Sequence, residues 1–424
     1  MKILSKLKRT SYKDQFFDSF YLFLLQGTNH IIPLIVIPYL MIVLGAENYG
    51  FIGLSTAFSQ YFVLIIDFGF NFTATKRIAI AKESNDSELL NKTFFSTLYC
   101  KIILFVISII LLLFLGSVIP KFKPYFTSIL CTLPLIIGST FSFSYLFQGI
   151  GKIRIAAIIS TISKFAILPL TFVFVRESAD YNLAIIIQSS VHLVCAIISL
   201  IVICRYKILN FIRVRWADIK EAYKDSFPLF LSSVATSVYT QLFIIILAFF
   251  VSSKEIGCYS AAERIMRAFS FLLYRPITQA FYPKISALSF VDRDRAKVLL
   301  RKLGKIIFVI MASLCSFLFI FAPFITNLVG ESYDGIDILL RVMSFAPIAI
   351  ALGGVIGQMG LIALGNENSK RYFTLVYWIM APLSLLLVFI LTSLFKTVGA
   401  AFALIITEYL VFLFMFLFYK KTVL

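Results

Sequence analysis

From Lys101 to Gly116 the chain reads KIILFVISIILLLFLG, one basic residue followed by a run that only Ser108 interrupts with a polar side chain. Such a run fixes the fold class almost alone. In hydrocarbon no water is present to satisfy a bare N–H or C=O, and a helix closes its own hydrogen bonds. About 18 or more apolar residues make a helix long enough to cross a bilayer. Runs of this kind recur along all 424 residues, and no stretch between them has room for a soluble domain. The composition agrees: 60% of residues are hydrophobic and 14% charged, against roughly 25% charged in soluble domains. Lys2, Lys6, Lys8, Arg9 and Lys13 precede an apolar stretch from Phe16 to Leu44, too long for the core of a signal peptide. It reads as an uncleaved first span.

The pattern predicts an all-α integral membrane protein of about twelve spans, at 17–43, 49–75, 93–116, 125–149, 155–175, 183–204, 227–251, 257–283, 305–328, 336–363, 372–394 and 398–419. Lys and Arg set the orientation. They crowd the N-terminal tail, the segment after the second span (Lys76, Arg77, Lys82, Lys92), the central connection (Arg205, Lys207, Arg213, Arg215, Lys220, Lys224) and the segment after the eighth span. The alternate connections hold only Lys121, Lys123, Arg176, Lys254 and Lys396. Both termini are therefore expected to be cytoplasmic. The net charge of +18 is then explained by basic loops facing an anionic leaflet, without nucleic acid.

A repeat constrains the arrangement further. DSFYLFL begins at Asp18, and DSFPLFL begins 207 positions later at Asp225. At the same offset Gly50 of YGFIG matches Gly257 of IGCYS, and Arg77 matches Lys284. Six spans separate the copies, so both halves have the same orientation. This predicts two parallel, pseudo-symmetric six-helix halves, 1–204 and 227–424, joined by a cytoplasmic linker at 205–226 around a central cavity.

Ionisable residues inside spans are the candidate functional groups, because each is costly in lipid unless it faces a cavity or a partner. The eighth span carries Arg264, Arg267 and Arg275 on one stripe with Ser260, Phe271, Thr278 and Tyr282, and Glu263 lies one turn before Arg267. One acid cannot neutralise three guanidiniums, so a basic face is expected. Arg275, near the inner end, can instead snorkel. Lys164 sits mid-span beside Ser160, Thr161 and Thr171, and Lys101 reads as a snorkelling residue. Asp67 shares a stripe with Thr56, Gln60 and Asn71 and no basic residue, and Glu408 lies near the middle of the last span. Each acid is either an ion-coupling group for H+ or Na+ or a counter-ion of a buried cation. Asn29 and His30 add polar character at mid-depth of the first span, with His30 read mainly as core, and His192 is read as core. Basic residues outnumber acidic ones within the spans, so the cavity should favour an anion.

The six cysteines fall in apolar spans with no C-x-x-C or Cys/His grouping, which points to core residues and no metal site. No G-x-x-x-x-G-K-[ST] loop is present to hold a nucleotide.

Four stretches resemble the O-antigen flippases (Wzx-type), a polysaccharide-transport branch of the superfamily that also holds the multidrug extruders and the lipid II flippases. They are NYGFIGLSTAFSQYFVLIIDFGFNFTATKRIA at 48–79, YLFQGIGKIRIAAIISTISKF at 145–165, GCYSAAERIMRAF at 257–269 and PITQAFYPKIS at 276–286. Tyr145 stands where that family usually has Trp. The resemblance implies an undecaprenyl-pyrophosphate-linked oligosaccharide as cargo, moved across a bacterial inner membrane, with other O-antigen assembly proteins as partners. It further implies that Arg264 and Arg267 bind pyrophosphate or sugar, that Lys164 lines the cavity, and that Asp67 is the acid of the second span. A cation extruder of the same fold should have an acidic cavity. A membrane glycosyltransferase or O-antigen polymerase should carry a sizeable outer loop, and none is expected here.

Overall fold

The computed structural model describes residues 12–423, with side chains described from Ile32 onward except at positions 33, 34, 239–241, 279, 283 and 290. Among the described residues every regular element is helical. The chain runs through α1 (Tyr12–Asp67), α2 (Phe70–Glu83) and α3 (Ser87–Val118), then a 3-10 turn (Pro120–Tyr125), α4 (Phe126–Leu130), α5 (Leu133–Thr140) and α6 (Ser144–Gly149). It continues through α7 (Ile153–Phe174), α8 (Tyr181–Arg205), α9 (Trp216–Leu247), α10 (Ser253–Val291) and α11 (Arg293–Val329). α12 (Ile336–Met343), α13 (Ala346–Val355), a π turn (Ile356–Ala363) and α14 (Glu367–Thr422) complete it. The structure is that of a multi-pass membrane protein: among the described residues seven helical stretches are long and apolar enough to cross a bilayer, or eight if the bent pair 120–149 is one span.

The helices depart from the expected spans where single residues break them. α1 and α14 have 56 residues each, about 84 Å if straight against a hydrocarbon core of about 30 Å. α1 breaks at Gly45 (φ 71°), a left-handed conformation that glycine adopts without a Cβ clash. α14 breaks at Lys396 (φ 53°). Both breaks fall in the short connections expected at 44–48 and 395–397. The second expected span is interrupted at Phe68 and Gly69, both with positive φ. The fourth is a chain of short helices bent by 64°. α9 starts at Trp216, so the second half of the expected 205–226 linker is helical.

The connections sort to two ends. At one end Ala46 N donates to Ser332 Oγ (3.3 Å), Tyr125 Oη and Ser253 Oγ share a hydrogen bond (2.6 Å), and Asn48 Nδ2 donates to the Ser178 carbonyl (2.8 Å). We call this the Gly45 end. At the other, Arg77 pairs with Glu221 (2.6 Å) and Asp225 (2.5 Å), and Lys92 pairs with Asp218 (2.7 Å). Lys82 reaches the Ile150 carbonyl (2.5 Å). The basic connections thus share one end with the acidic first turns of α9. The Asp218 carboxyl is held below its ordinary range, chiefly by its hydrogen bond to Lys92.

α1 and α10 cross at the Gly45 end without side chains between them. A Cβ on Gly50 would overlap the Ser253 carbonyl, and one on Gly257 would overlap the Ala46 carbonyl. The two glycines matched in sequence are the ones that meet in space.

Candidate functional site

A cavity of about 270 Å3 lies beneath this crossing. α1 supplies Ile32, Val36, Leu40, Ile52 and Thr56, α7 supplies Lys164, Ile167 and Leu168, and α8 supplies Gln188, Val191 and His192. Arg264 of α10 closes it. Among the described residues its charged and titratable lining is Lys164, His192 and Arg264, with no carboxylate. Arg264 Nη1 donates to Tyr49 Oη at 3.2 Å, and its guanidinium carbon lies 5.4 Å from the Tyr49 ring centre. Among the described residues no carboxylate pairs with Arg264 or Lys164. The site can therefore take an anion alongside apolar chain, since most of its wall is aliphatic.

The other candidate residues are placed elsewhere. Arg267 is committed to two acids: its Nε is 2.8 Å from Glu263 Oε1 and its Nη1 is 4.0 Å from Glu408 Oε1. The second acid arrives from α14, so Glu408 takes the counter-ion place that was one of its two expected roles, and Arg264 and Arg275 keep the stripe basic. Tyr259 Oη and Thr407 Oγ1, beside this trio in sequence, are buried without a hydrogen-bond partner among the described residues. Arg275 is exposed, with its guanidinium 4.1 Å from the Phe271 ring centre, and lines no part of the basic cavity.

Asp67 has a basic neighbour after all. Lys101 is completely buried, and its Nζ lies 2.9 Å from Asp67 Oδ1 and 3.3 Å from the Ser139 carbonyl. Lys101 does not snorkel, because its ammonium is satisfied inside the protein. Asn71 Oδ1 is buried without a partner, and Gln60 is half-buried. The side chains of Asn29 and His30 lie outside the described residues. His192 is not plain core, since it lines the cavity, and Gln188 and Thr56 join it there. Gln188 and His192 are one helical turn apart, so a polar pair on one face of an apolar span was the available sign. Of the six cysteines, all free, Cys204 is on the surface and not in the core.

Apolar helices long enough to cross a membrane repeatedly keep a charged cavity among them, the arrangement that a membrane transporter requires. The chain belongs to the polysaccharide biosynthesis protein family, whose family model matches residues 17–289. It is 34% identical over 402 residues to a "Putative O-antigen transporter" of Escherichia coli K12, covering 95% of each chain. A Shigella dysenteriae protein of the same description is 29% identical over 395 residues, covering 93% of this chain and 97% of its own. In fold the chain is similar to a multidrug resistance MATE family transporter solved in an inward-facing conformation (TM-score 0.73, 14% identity, covering 92% of this chain and 94% of that one). It is also similar to the lipid II flippase MurJ (TM-score 0.71, 18% identity, covering 94% of this chain and 87% of that one). The family expected from residues 48–79, 145–165, 257–269 and 276–286 is the one to which the chain belongs.

Proposed function

We propose that the chain is a flippase that carries an undecaprenyl-pyrophosphate-linked O-antigen repeat unit from the cytoplasmic to the periplasmic leaflet of a bacterial inner membrane. The observation that carries this reading is the cavity lined by Arg264, Lys164 and His192 without a carboxylate. Paired guanidinium and ammonium groups suit a pyrophosphate, and the aliphatic wall suits a prenyl chain. A cation extruder would place its carboxylates in the cavity, whereas here the acids near α10 are held by Arg267. The family membership and the O-antigen transporter relatives support the cargo class.

In this reading the chain has both termini in the cytoplasm, where the basic end lies, and two halves at 1–204 and 227–424 that rock against each other to open the cavity to either side. Directional movement without a nucleotide needs an ion gradient or a downstream sink. Glu263 and Glu408 against Arg267 leave one formal negative charge in excess, which H+ or Na+ would neutralise. Asp67, paired with Lys101, acts as a counter-ion. The test is a strain lacking its O-antigen flippase. The chain should restore surface polysaccharide and clear complete lipid-linked repeat units from the inner leaflet, and persistence of those units with the protein in the membrane would overturn the proposal.

A further inference from the structure

We infer that Tyr49 is the positioning residue of the anion site, and that it makes the grip of Arg264 on an anion depend on closure of the Gly45 end. This rests on the anion-site reading above and adds what holds the site together.

Arg264 and Tyr49 belong to opposite halves. Tyr49 is completely buried, with its ring edge-on to Tyr333 at 6.5 Å. Its hydroxyl accepts from Arg264 Nη1, and its ring lies against the same guanidinium. A guanidinium has five N–H donors, so this bond leaves most of them for a ligand. A long arginine side chain loses rotamer freedom on gripping an anion, and a partner that fixes it beforehand removes that cost from binding.

Tyr49 stands between Ala46 and Gly50, the two α1 residues whose backbones touch α10. The contacts around it are reciprocal at the offset of the sequence repeat. Gly50 abuts Ser253 and Gly257 abuts Ala46, and 46 and 50 become 253 and 257 on adding 207. Ser332 bonds Ala46 and Tyr125 bonds Ser253, and 125 becomes 332 at the same offset. A self-complementary contact of this kind, backbone against backbone, is either made or broken, since neither helix can slide past the other's carbonyls. When it breaks, Tyr49 leaves with α1 and Arg264 stays with α10. The anion site is therefore whole while the Gly45 end is closed and loses its fixed arginine when that end opens. In the proposed orientation that is the side where the cargo departs, so opening and loosening of the grip are one event.

The experiment is calorimetric titration of the purified full-length chain in detergent with inorganic pyrophosphate. Tyr49→Phe keeps the ring and removes only the hydroxyl, and it should weaken binding about fivefold, the cost of ordering one free arginine side chain when the anion is gripped, while the loss of the hydrogen bond itself appears as a slightly lower melting temperature. Gly257→Val, which holds the crossing apart, should weaken binding to a similar degree. The double variant should bind no more weakly than the weaker single one, because both changes remove the same arrangement. If Gly257→Val does not fold, Ser332→Ala with Tyr125→Phe loosens the same end without added bulk. Binding that is absent in the unmodified chain, or unchanged in Arg264→Ala, would overturn the anion-site reading itself. Binding that falls in Arg264→Ala but stays within about twofold in Tyr49→Phe would overturn only the role of Tyr49. Effects of Tyr49→Phe and Gly257→Val that multiply would overturn the link to closure.

Discussion

Arg267→Ala is expected to damage the fold before it informs on transport. The guanidinium lies 2.8 Å from one carboxylate and 4.0 Å from another, each acid side chain about 10% exposed. At an effective dielectric of about 20, these separations correspond to gross attractions of about 6 and about 4 kcal/mol. Desolvation offsets most of that while the trio is intact. Removing the cation leaves two carboxylates in a poorly solvated site, and breaking a buried pair in this way costs about 3–5 kcal/mol. Neutralising the acids as well, in Arg267→Ala with Glu263→Gln and Glu408→Gln, should recover most of the loss. Thermal unfolding of the detergent-solubilised protein, followed by the fluorescence of Trp216 and Trp378, gives the measurement. The reasoning is refuted if Arg267→Ala melts with the unmodified protein, or if the triple variant melts no higher than Arg267→Ala.

Asp67→Asn should strand the buried Lys101 ammonium and cost about 3 kcal/mol or more, with Asp67→Asn/Lys101→Met more stable than Asp67→Asn alone in the same melt. Arg264→Ala should reduce complementation of a flippase-deficient strain severely at unchanged membrane abundance, and Arg264→Lys should rescue only part, because an ammonium lacks the bidentate fork. Asp218 is held below the ordinary carboxyl range by Lys92, so its stabilising effect is complete above about pH 4 and is lost as pH falls through the depressed value. Asp218→Asn should flatten that acid limb of the stability curve. Reporter fusions after Tyr12 and after Leu424 should both report cytoplasm, and one in 176–182 should report periplasm; an external C-terminus would remove the argument for two like-oriented halves.

The helices were legible because each apolar run states its own length and needs no tertiary information. The breaks were partly legible: Gly45 and Lys396 fall in short connections the hydropathy already marked, whereas the interruption at Phe68–Gly69 was marked only by one glycine between Asp67 and Asn71, a signal too short to end a span. The cavity was half legible. Lys164 and Arg264 stand out because a charge in an apolar span is conspicuous, and the structure puts both on one cavity. His192 was missed because a neutral imidazole among aliphatic residues looks like core. The pairings were the least legible. Lys101 is 34 residues from Asp67, and Glu408 comes to Arg267 from the far end of the chain. Helical periodicity compares residues one turn apart, so it sees Glu263 beside Arg267 and cannot see Glu408.

Those two charge clusters also set a timetable for making the protein. A ribosome releases α1 before α3, so the acid that Lys101 needs is already in place when the lysine reaches the membrane. α10 enters with Arg267 and Glu263, but Glu408 is synthesised only with α14. Arg267 must therefore wait one acid short, shielded by the insertion machinery or by helices already inserted, until α14 arrives. A chain that stops at the α14 break would leave Lys101 paired and Arg267 permanently short of one acid, which makes the stretch after Lys396 a checkpoint on assembly.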